Sequence, residues 1–217
     1  MRLNSLFHPS SGPVGHGITI GTPRLYELFA ATHFLGRRRS YRTLLAASGV
    51  REGDRVLDVG CGPGYFARII AQGVGPGGSV VGVDAAPEMT EYASRKARHL
   101  SNCRFEPGTA EALAFPDASF DVVVSSLVVH HLPEDQRQRA VREMLRVLRP
   151  GGALLLADFR VGDGALARLV ASLTGSAAMA ERVPPLEPLV AGAGFAELRS
   201  GEAPPWLQYV RAVRPSA

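Results

Sequence analysis

Short apolar runs alternate with amphipathic segments along the chain, and this alternation constrains the fold more than any other feature. Five runs are predicted strands, 55–60, 79–84, 103–107, 120–126 and 153–159, and the first has the nearly continuous apolar content of a buried parallel strand. Three segments between them carry apolar residues three and four positions apart, as helices packed on a sheet do: 64–72, 87–99 and 134–148. Alternating strands and helices predict an α/β fold, a parallel sheet with helices on both faces.

The end of the chain departs from this pattern. After a helix near 164–173 and a short one at 186–192, the runs GFAELRS and WLQYVRAV follow each other with no long helix between them. They predict an antiparallel hairpin at the edge of the sheet. Helical spacing also precedes the first strand, from Pro23 to about residue 48.

A chain of 217 residues fits one such domain with modest additions. No internal repeat or low-complexity linker divides it, so we expect a single domain over 1–217. Within it we expect a mobile arm at 1–22, which is rich in Gly, Pro and Ser, a helical segment at 23–48 and a core at 49–217.

Composition excludes several classes of protein. No segment approaches the roughly 20 consecutive apolar residues that a membrane helix needs, and the start lacks the apolar stretch of a secretory signal. Cys61 and Cys103 lie in different elements and indicate no disulfide framework. These features predict a cytoplasmic protein, as a monomer or a homodimer.

The net charge of +4 raises the question of nucleic acid. Only Lys96 is a lysine, and the arginines are scattered except for the cluster GRRRSYR at 36–42. We interpret this as an arginine bias of the solvated surface. The alternatives for the cluster are an anionic acceptor or another subunit.

The first strand runs into a loop with glycines at alternate positions, Gly60, Gly62 and Gly64. In an open parallel sheet, ligands bind beyond the carboxyl ends of the strands, and such glycines let the backbone approach a ligand closely. Asp84 ends the second strand, 24 residues after Gly60. A carboxylate at this place accepts hydrogen bonds from a ribose diol, which predicts a nucleoside ligand.

Two features favour S-adenosylmethionine (SAM) over a dinucleotide. The spacing is G-x-G-x-G rather than G-x-G-x-x-G, and Asp58 stands two residues before the first glycine. A carboxylate there would repel a pyrophosphate and attract the ammonium of SAM. Three simpler interpretations stay open: Asp58 caps the following helix, Asp84 belongs to an ordinary strand-end turn, and the glycines serve tight packing.

Four motifs in register with the predicted strands, VLDVGCGPG, VVGVDAAPEM, FDVVVSS and RVLRPGG, resemble those of class I SAM-dependent methyltransferases. The likeness covers roughly residues 24–200 and is greatest to the small ubiquinone/menaquinone-biosynthesis type. The resemblance implies a Rossmann-like, mostly parallel seven-stranded sheet of order 3-2-1-4-5-7-6 with strand 7 antiparallel. It also implies a helical lid at 23–48 and methyl transfer from SAM, which leaves S-adenosylhomocysteine.

The resemblance also assigns cofactor-binding positions along the chain. Those at the methionine end and the ribose come from the glycine loop and the second strand, and the others lie beside the adenosine or at the end of the fourth strand. They are Asp58, Gly60, Cys61, Gly62, Gly64, Asp84, Ala85, Met89, Thr109, Ala110, Glu111 and Ser126. Thr109 stands where the family often carries an acid.

His130 and His131 follow the fourth strand and are candidates for a general base, which is needed only if the acceptor loses a proton. The alternative is that one packs in the loop and the other is exposed. A metal site is not expected, because adjacent side chains diverge and no carboxylate cluster accompanies them. The quinone-biosynthesis enzymes carry Arg-Asn at this pair of positions and Thr at Pro63, so this chain departs from them there.

We expect a small aromatic or lipophilic acceptor, because the segments that would cover the SAM pocket are largely apolar with a few polar groups. The candidate acceptor residues are His16, Tyr26, Phe29, His33 and Met179. Base methyltransferases of nucleic acids carry an Asn/Asp-Pro-Pro-aromatic motif after strand 4, whereas this chain has Ser125-Ser126-Leu127-Val128. Nucleic-acid methylation is therefore the less favoured alternative, and a SAM-binding protein without methyl-transfer activity is another.

Overall fold

A computed structural model describes residues 7–9, 18–20, 23, 36–160 and 183–216. The strands are β1 Phe7–Pro9, β2 Ile18–Ile20, β3 Arg55–Val59, β4 Ser79–Asp84, β5 Cys103–Pro107, β6 Phe120–Ser126, β7 Leu148–Phe159, β8 Ala196–Ala203 and β9 Leu207–Val213. The helices are α1 Arg37–Ser48, α2 Tyr65–Val74, α3 Pro87–Ala97, α4 Glu134–Val147 and α5 Leu186–Gly192. The helix expected near 164–173 and most of the lid segment before Gly36 lie outside the described residues.

Strands β3 to β9 form one seven-stranded sheet in the order β5-β4-β3-β6-β7-β9-β8. Strands β3 to β7 pair in parallel, whereas β9 runs antiparallel to both β7 and β8. Counted within this sheet alone, the order is 3-2-1-4-5-7-6 with the seventh strand antiparallel. The predicted fold class and the terminal hairpin are confirmed.

Two apolar layers cover the two faces of the sheet. Helices α1 and α2 contribute Leu44 and Ile70 to one layer, and α4 contributes Met144 to the other; all three side chains are fully buried. Burial of each such side chain stabilises the fold by ~1.5–3 kcal/mol. Successive side chains along a strand point to opposite faces. Val56 and Asp58 of β3 therefore face the α1/α2 layer, and an acidic side chain lies among apolar ones.

Strand β7 begins at Leu148, five residues before the expected start at 153. The sequence RPGG, which we expected only to end the preceding helix, continues the sheet. The N–H of Gly151 donates to the carbonyl of Arg214 and the N–H of Arg214 donates to that of Gly152, both at 2.9 Å. Pairing with the chain beyond β9 thus extends the strand, and this contact is invisible to local patterns.

The N-terminal segment, expected to be an arm, contains two strands that the sequence pattern did not predict. β1 and β2 pair antiparallel, with Phe7 opposite Ile20. In the arginine cluster, the guanidinium of Arg37 lies 3.7 Å from the ring centroid of Tyr65. Among the helices that the structure describes, none has the length and hydropathy needed to span a bilayer.

Candidate active site

The glycine loop lies at the carboxyl end of β3, as predicted, and is held against β4. The N–H groups of Gly60 and Cys61 both donate to the carbonyl of Val83, at 2.7 and 2.9 Å. Gly60, Gly62 and Gly64 all have positive φ, at +73°, +50° and +72°. Non-glycine residues adopt such angles only with strain, so the path of this loop depends on its glycines.

The surroundings of the three glycines differ. A Cβ at Gly60 would lie 2.1 Å from Cγ2 of Val128, and one at Gly64 would lie 2.7 Å from the ring of Phe105. A Cβ at Gly62 would meet nothing within 4 Å. Close packing therefore explains a glycine at the first and third positions. Gly62 borders open space, where the backbone can approach a ligand.

Asp58 lies in the middle of β3, between Gly82 of β4 and Val124 of β6. Its side chain is 1% exposed, and neither carboxylate oxygen has a hydrogen-bond partner among the described residues. No side chain forms a capping hydrogen bond on α2, although the backbone N–H of Ala67 in its first turn interacts with Asp58. An unpartnered buried carboxylate is costly and points to a ligand that brings a donor.

Electrostatics agree with this interpretation. Burial and, to a smaller extent, the nearby negative charge of Asp84 together raise the pKa of Asp58 to about 7, and the backbone N–H of Ala67 only partly opposes the rise. A cationic group bound next to Asp58 would restore its charged form.

Asp84, at the end of β4, is bonded differently. Its Oδ2 accepts the N–H of Gly62 at 2.8 Å and its Oδ1 accepts the N–H of Ala86 at 3.0 Å. Burial raises the pKa of Asp84, and these two N–H groups oppose the rise. The carboxylate is partly exposed and each oxygen keeps a second lone pair, so it can still accept hydrogen bonds from a diol. Asp84 thus both fixes the glycine loop and faces the ligand space.

The remaining residues expected beside the adenosine follow β4 and β5 in the chain. Gly108 donates to the carbonyl of Asp84 at 3.0 Å, which brings the segment that follows it next to this strand. Met89, Ala110 and Glu111 are buried, Thr109 is half-buried and Ala85 is exposed. Cys61 is also buried, and burial raises the pKa of its thiol well above the usual range.

Ser126 ends β6 and meets a residue that the sequence analysis had not placed at the site. The hydroxyl of Tyr41, on α1, lies 3.4 Å from Oγ of Ser126. The Tyr41 ring packs edge-on against Tyr65 at 5.3 Å and against Phe66 at 5.0 Å. In the sequence Tyr41 was only one apolar position of a helix. Its partner lies 85 residues away, and no local signal indicates the contact.

Beyond β6, His130 is paired with Asp158 of β7, which the sequence analysis also missed. The Nδ1 of His130 lies 2.8 Å from Oδ1 of Asp158, and the His130 backbone N–H donates to Oδ2 at 3.2 Å. The ring centroids of His130 and His131 are 3.9 Å apart. The strand ADF gave no sign that its acid would meet a histidine 28 residues earlier.

Five candidates for the acceptor site lie outside the described residues: His16, Tyr26, Phe29, His33 and Met179. The structure joins Asp84 to the glycine loop through the N–H of Gly62, and it packs the loop that carries His130 and His131 against Gly60 through Val128.

Comparisons with known proteins agree with this geometry. Residues 56–152 match the model of a family described as a methyltransferase domain. The chain contains a class I SAM-dependent methyltransferase domain. SAM is the cofactor of this domain, and the unpartnered Asp58, the open space at Gly62 and the free lone pairs of Asp84 fit it.

Two curated relatives and one solved structure illustrate the similarity. Over 121 residues the chain is 38% identical to the ubiquinone/menaquinone biosynthesis C-methyltransferase UbiE of Pasteurella multocida, an alignment that covers 54% of this chain and 44% of that protein. Over 156 residues it is 37% identical to an arsenite methyltransferase of Halobacterium salinarum, covering 69% of this chain and 39% of that one. A SAM-dependent methyltransferase structure from Aquifex aeolicus superimposes with a TM-score of 0.70 at 23% identity, covering 88% of this chain and 98% of that chain. The chain thus spans less than half the length of both curated relatives.

Proposed function

We propose that the protein transfers the methyl group of SAM to a small aromatic or lipophilic acceptor. The observation that carries the proposal is the buried carboxylate of Asp58, which has no partner among the described residues. A metabolite that brings an ammonium group next to a ribose would satisfy this carboxylate and Asp84 together.

Each residue of the site has a distinct task in this function. Asp58 holds the ammonium of SAM, and Asp84 accepts hydrogen bonds from the ribose hydroxyls. Gly62 leaves room for the ligand against the backbone. When bound, SAM supplies a methyl carbon activated by positive sulfur. The chain then has to orient the acceptor behind that carbon in a site without water, which alone contributes ~7–11 kcal/mol to lowering the barrier.

Two observations support an aromatic or lipophilic acceptor: the apolar side chains near the ends of β6 and β7, and the similarity of the chain to a named relative. Beside the ends of β6 and β7, Val129 and Phe159 are buried, and the Phe159 ring centroid lies 5.1 Å from that of His130. A relative is named as a ubiquinone/menaquinone C-methyltransferase, which supports a lipophilic aromatic ring.

A thiophilic metalloid acceptor is less favoured, although another relative is named as an arsenite methyltransferase. Soft acceptors of this kind need thiolates, and Cys61 and Cys103 are the only cysteines of the chain. Burial raises the pKa of Cys103 to about 12 and that of Cys61 well above its usual range. Neither thiol is therefore ionised at neutral pH, and neither suits a soft metalloid.

The experiment has two stages. Calorimetry with SAM and with S-adenosylhomocysteine measures cofactor binding, with Asp84→Asn as a variant expected to bind more weakly. Formation of S-adenosylhomocysteine is then followed with phenols, hydroquinones and amines as acceptors. Absence of SAM binding would overturn the whole proposal. Binding without turnover on any acceptor would instead identify a SAM-binding protein that does not transfer methyl groups.

A further inference from the structure

Asp158 and His130 form a buried pair whose hydrogen bonds determine the state of the imidazole. His130 is 4% exposed and Asp158 is fully buried. The carboxylate accepts three N–H groups among the described residues: the backbone and Nδ1 of His130 and the backbone of Phe159. Both carboxylate oxygens already accept a backbone N–H, so we assign Asp158 as the acceptor and Nδ1 of His130 as the donor.

The other ring nitrogen is consequently the one with a free lone pair. With the proton on Nδ1, the neutral imidazole carries its basic lone pair on Nε2. Nε2 of His130 is buried and has no hydrogen-bond partner among the residues that the structure describes. A buried acceptor without a donor indicates a ligand group that supplies one.

The loop that carries His130 lies directly against the cofactor loop. Val128 occupies the space where a side chain on Gly60 would be, and its carbonyl accepts the N–H of His131. At the start of the loop, Leu127 has a φ of +62°, a strained angle for a branched residue, and its N–H donates to Ala157. Strain held by the surrounding structure is frequent where a fold fixes a functional group.

The surroundings of the His130 ring fit the role of a base. The titratable groups recorded against the His130 ring, within the described part of the chain, are Asp158 and the ring of His131. His130 has the carboxylate of Asp158 on its Nδ1. A carboxylate there orients the ring and stabilises the imidazolium that forms when Nε2 takes a proton.

We propose that His130 is the general base of the methyl transfer, that Asp158 positions it, and that the acceptor atom is a hydroxyl oxygen. This rests on the proposed function. Nε2 takes the hydroxyl proton while the oxygen lone pair forms the new bond to the methyl carbon. The bond from that carbon to sulfur breaks, and its electrons stay on sulfur. The products are the methyl ether and S-adenosylhomocysteine, and the imidazolium then returns its proton to solvent.

His130→Asn tests the base, because an asparagine amide can still donate to Asp158 while Nε2 is lost. With un-ionised phenols as probes, we expect kcat to fall ~10²–10⁴-fold, with SAM affinity changed less than about threefold. With phenols already ionised at the assay pH, the loss should shrink below about tenfold, because no proton remains to be taken. A purely structural role would reduce both classes equally, and equal losses would overturn the proposal.

Asp158→Asn tests the positioning role in a readout that does not need an acceptor. Nitrogen NMR of protein labelled in histidine, bound to S-adenosylhomocysteine, should show Nδ1 protonated and Nε2 unprotonated for His130. The His130→Asn variant identifies the signals. In Asp158→Asn we expect the proton to shift towards Nε2. A proton on Nε2 in the wild type would overturn the proposal.

Different experimental results would overturn the proposed base and the proposed function. Turnover of amine acceptors but of no phenol or hydroquinone, or SAM binding with no turnover of any hydroxyl probe, overturns the hydroxyl assignment. A wild type that does not bind SAM overturns the proposed function itself.

Discussion

Replacing Asp58 by asparagine should stabilise the ligand-free protein, by an amount that depends on pH. The carboxyl group is buried without a partner, and its pKa in the folded state is about 7, against 3.8 for the free side chain. A folded-state pKa above the unfolded one favours unfolding wherever the unfolded chain is ionised. The destabilisation therefore appears as the pH rises above about 4 and is complete above about 7.

The magnitude follows from the difference of about 3 pKa units. At ~1.4 kcal/mol per unit, ionised Asp58 lowers the free energy of unfolding by about 4 kcal/mol at pH 8. At pH 5 the folded carboxyl stays protonated and the pH is only about 1.2 units above the unfolded pKa of 3.8, so the effect falls to about 2 kcal/mol. The stabilisation by Asp58→Asn should thus be roughly 2–3 kcal/mol larger at pH 8 than at pH 5. The cost of burying the amide itself is the same at both pH values and cancels.

Urea unfolding of protein stripped of SAM, at pH 5 and pH 8, measures this difference. Asp135→Asn is the matched control, because Asp135 is exposed in the first turn of α4 and keeps its water shell. The control should show no comparable gain between the two pH values. An equal change at both pH values for Asp58→Asn, or a larger gain at pH 5, would refute the electrostatic account of Asp58.

Three further predictions concern the glycine loop and the cofactor. In urea unfolding, Gly60→Ala should lower the free energy of unfolding by roughly 3–5 kcal/mol, because the new Cβ clashes with Val128 and the residue has a positive φ. Gly77→Ala should lower it by less than ~1 kcal/mol, because a Cβ there meets no atom within 4 Å. Gly62→Ala and Gly53→Ala both combine positive φ with open space, so each should cost ~1–2 kcal/mol. Only the first should weaken SAM binding in calorimetry, by about tenfold, and equal affinities would remove its ligand role. The affinity for S-adenosylhomocysteine should fall about tenfold per pH unit below pH 7, because Asp58 must lose its proton to bind the ammonium. An equally steep pH dependence of the affinity in Asp58→Asn would contradict this.

Much of the fold was predictable because its signals are local. The bounds of β4, β5 and β6 agree with the predicted strands, and the buried strands β4 and β6 are nearly continuous apolar runs between turn residues. The sheet order came instead from the resemblance, because the apolar pattern does not say which strands are neighbours. The early start of β7 depends on pairing with residues more than 60 positions later, and no local pattern contains it.

In the candidate site, too, some residues could be predicted from the sequence and others could not. Asp58 and Asp84 could be proposed because each stands at a fixed distance from the glycine loop in the sequence. Tyr41 and Asp158 could not, because their partners lie on other elements and each fits an ordinary buried position of its own helix or strand. Residues that act on the ligand through a local motif are visible in the sequence, whereas residues that act through another side chain require the structure.

Two buried aspartates of one sheet show how hydrogen bonds distinguish these tasks. Asp58 and Asp158 are about equally excluded from water, at 1% and 0% exposure. Asp158 accepts three N–H groups, so its charge is compensated inside the protein and it can hold His130 in place. Asp58 has no partner among the described residues, so its charge destabilises the fold until a cation arrives. The stability lost at Asp58 in the ligand-free protein is recovered when an ammonium binds. The ionisation of this one carboxyl group therefore affects both the affinity for the cofactor and the free energy of unfolding.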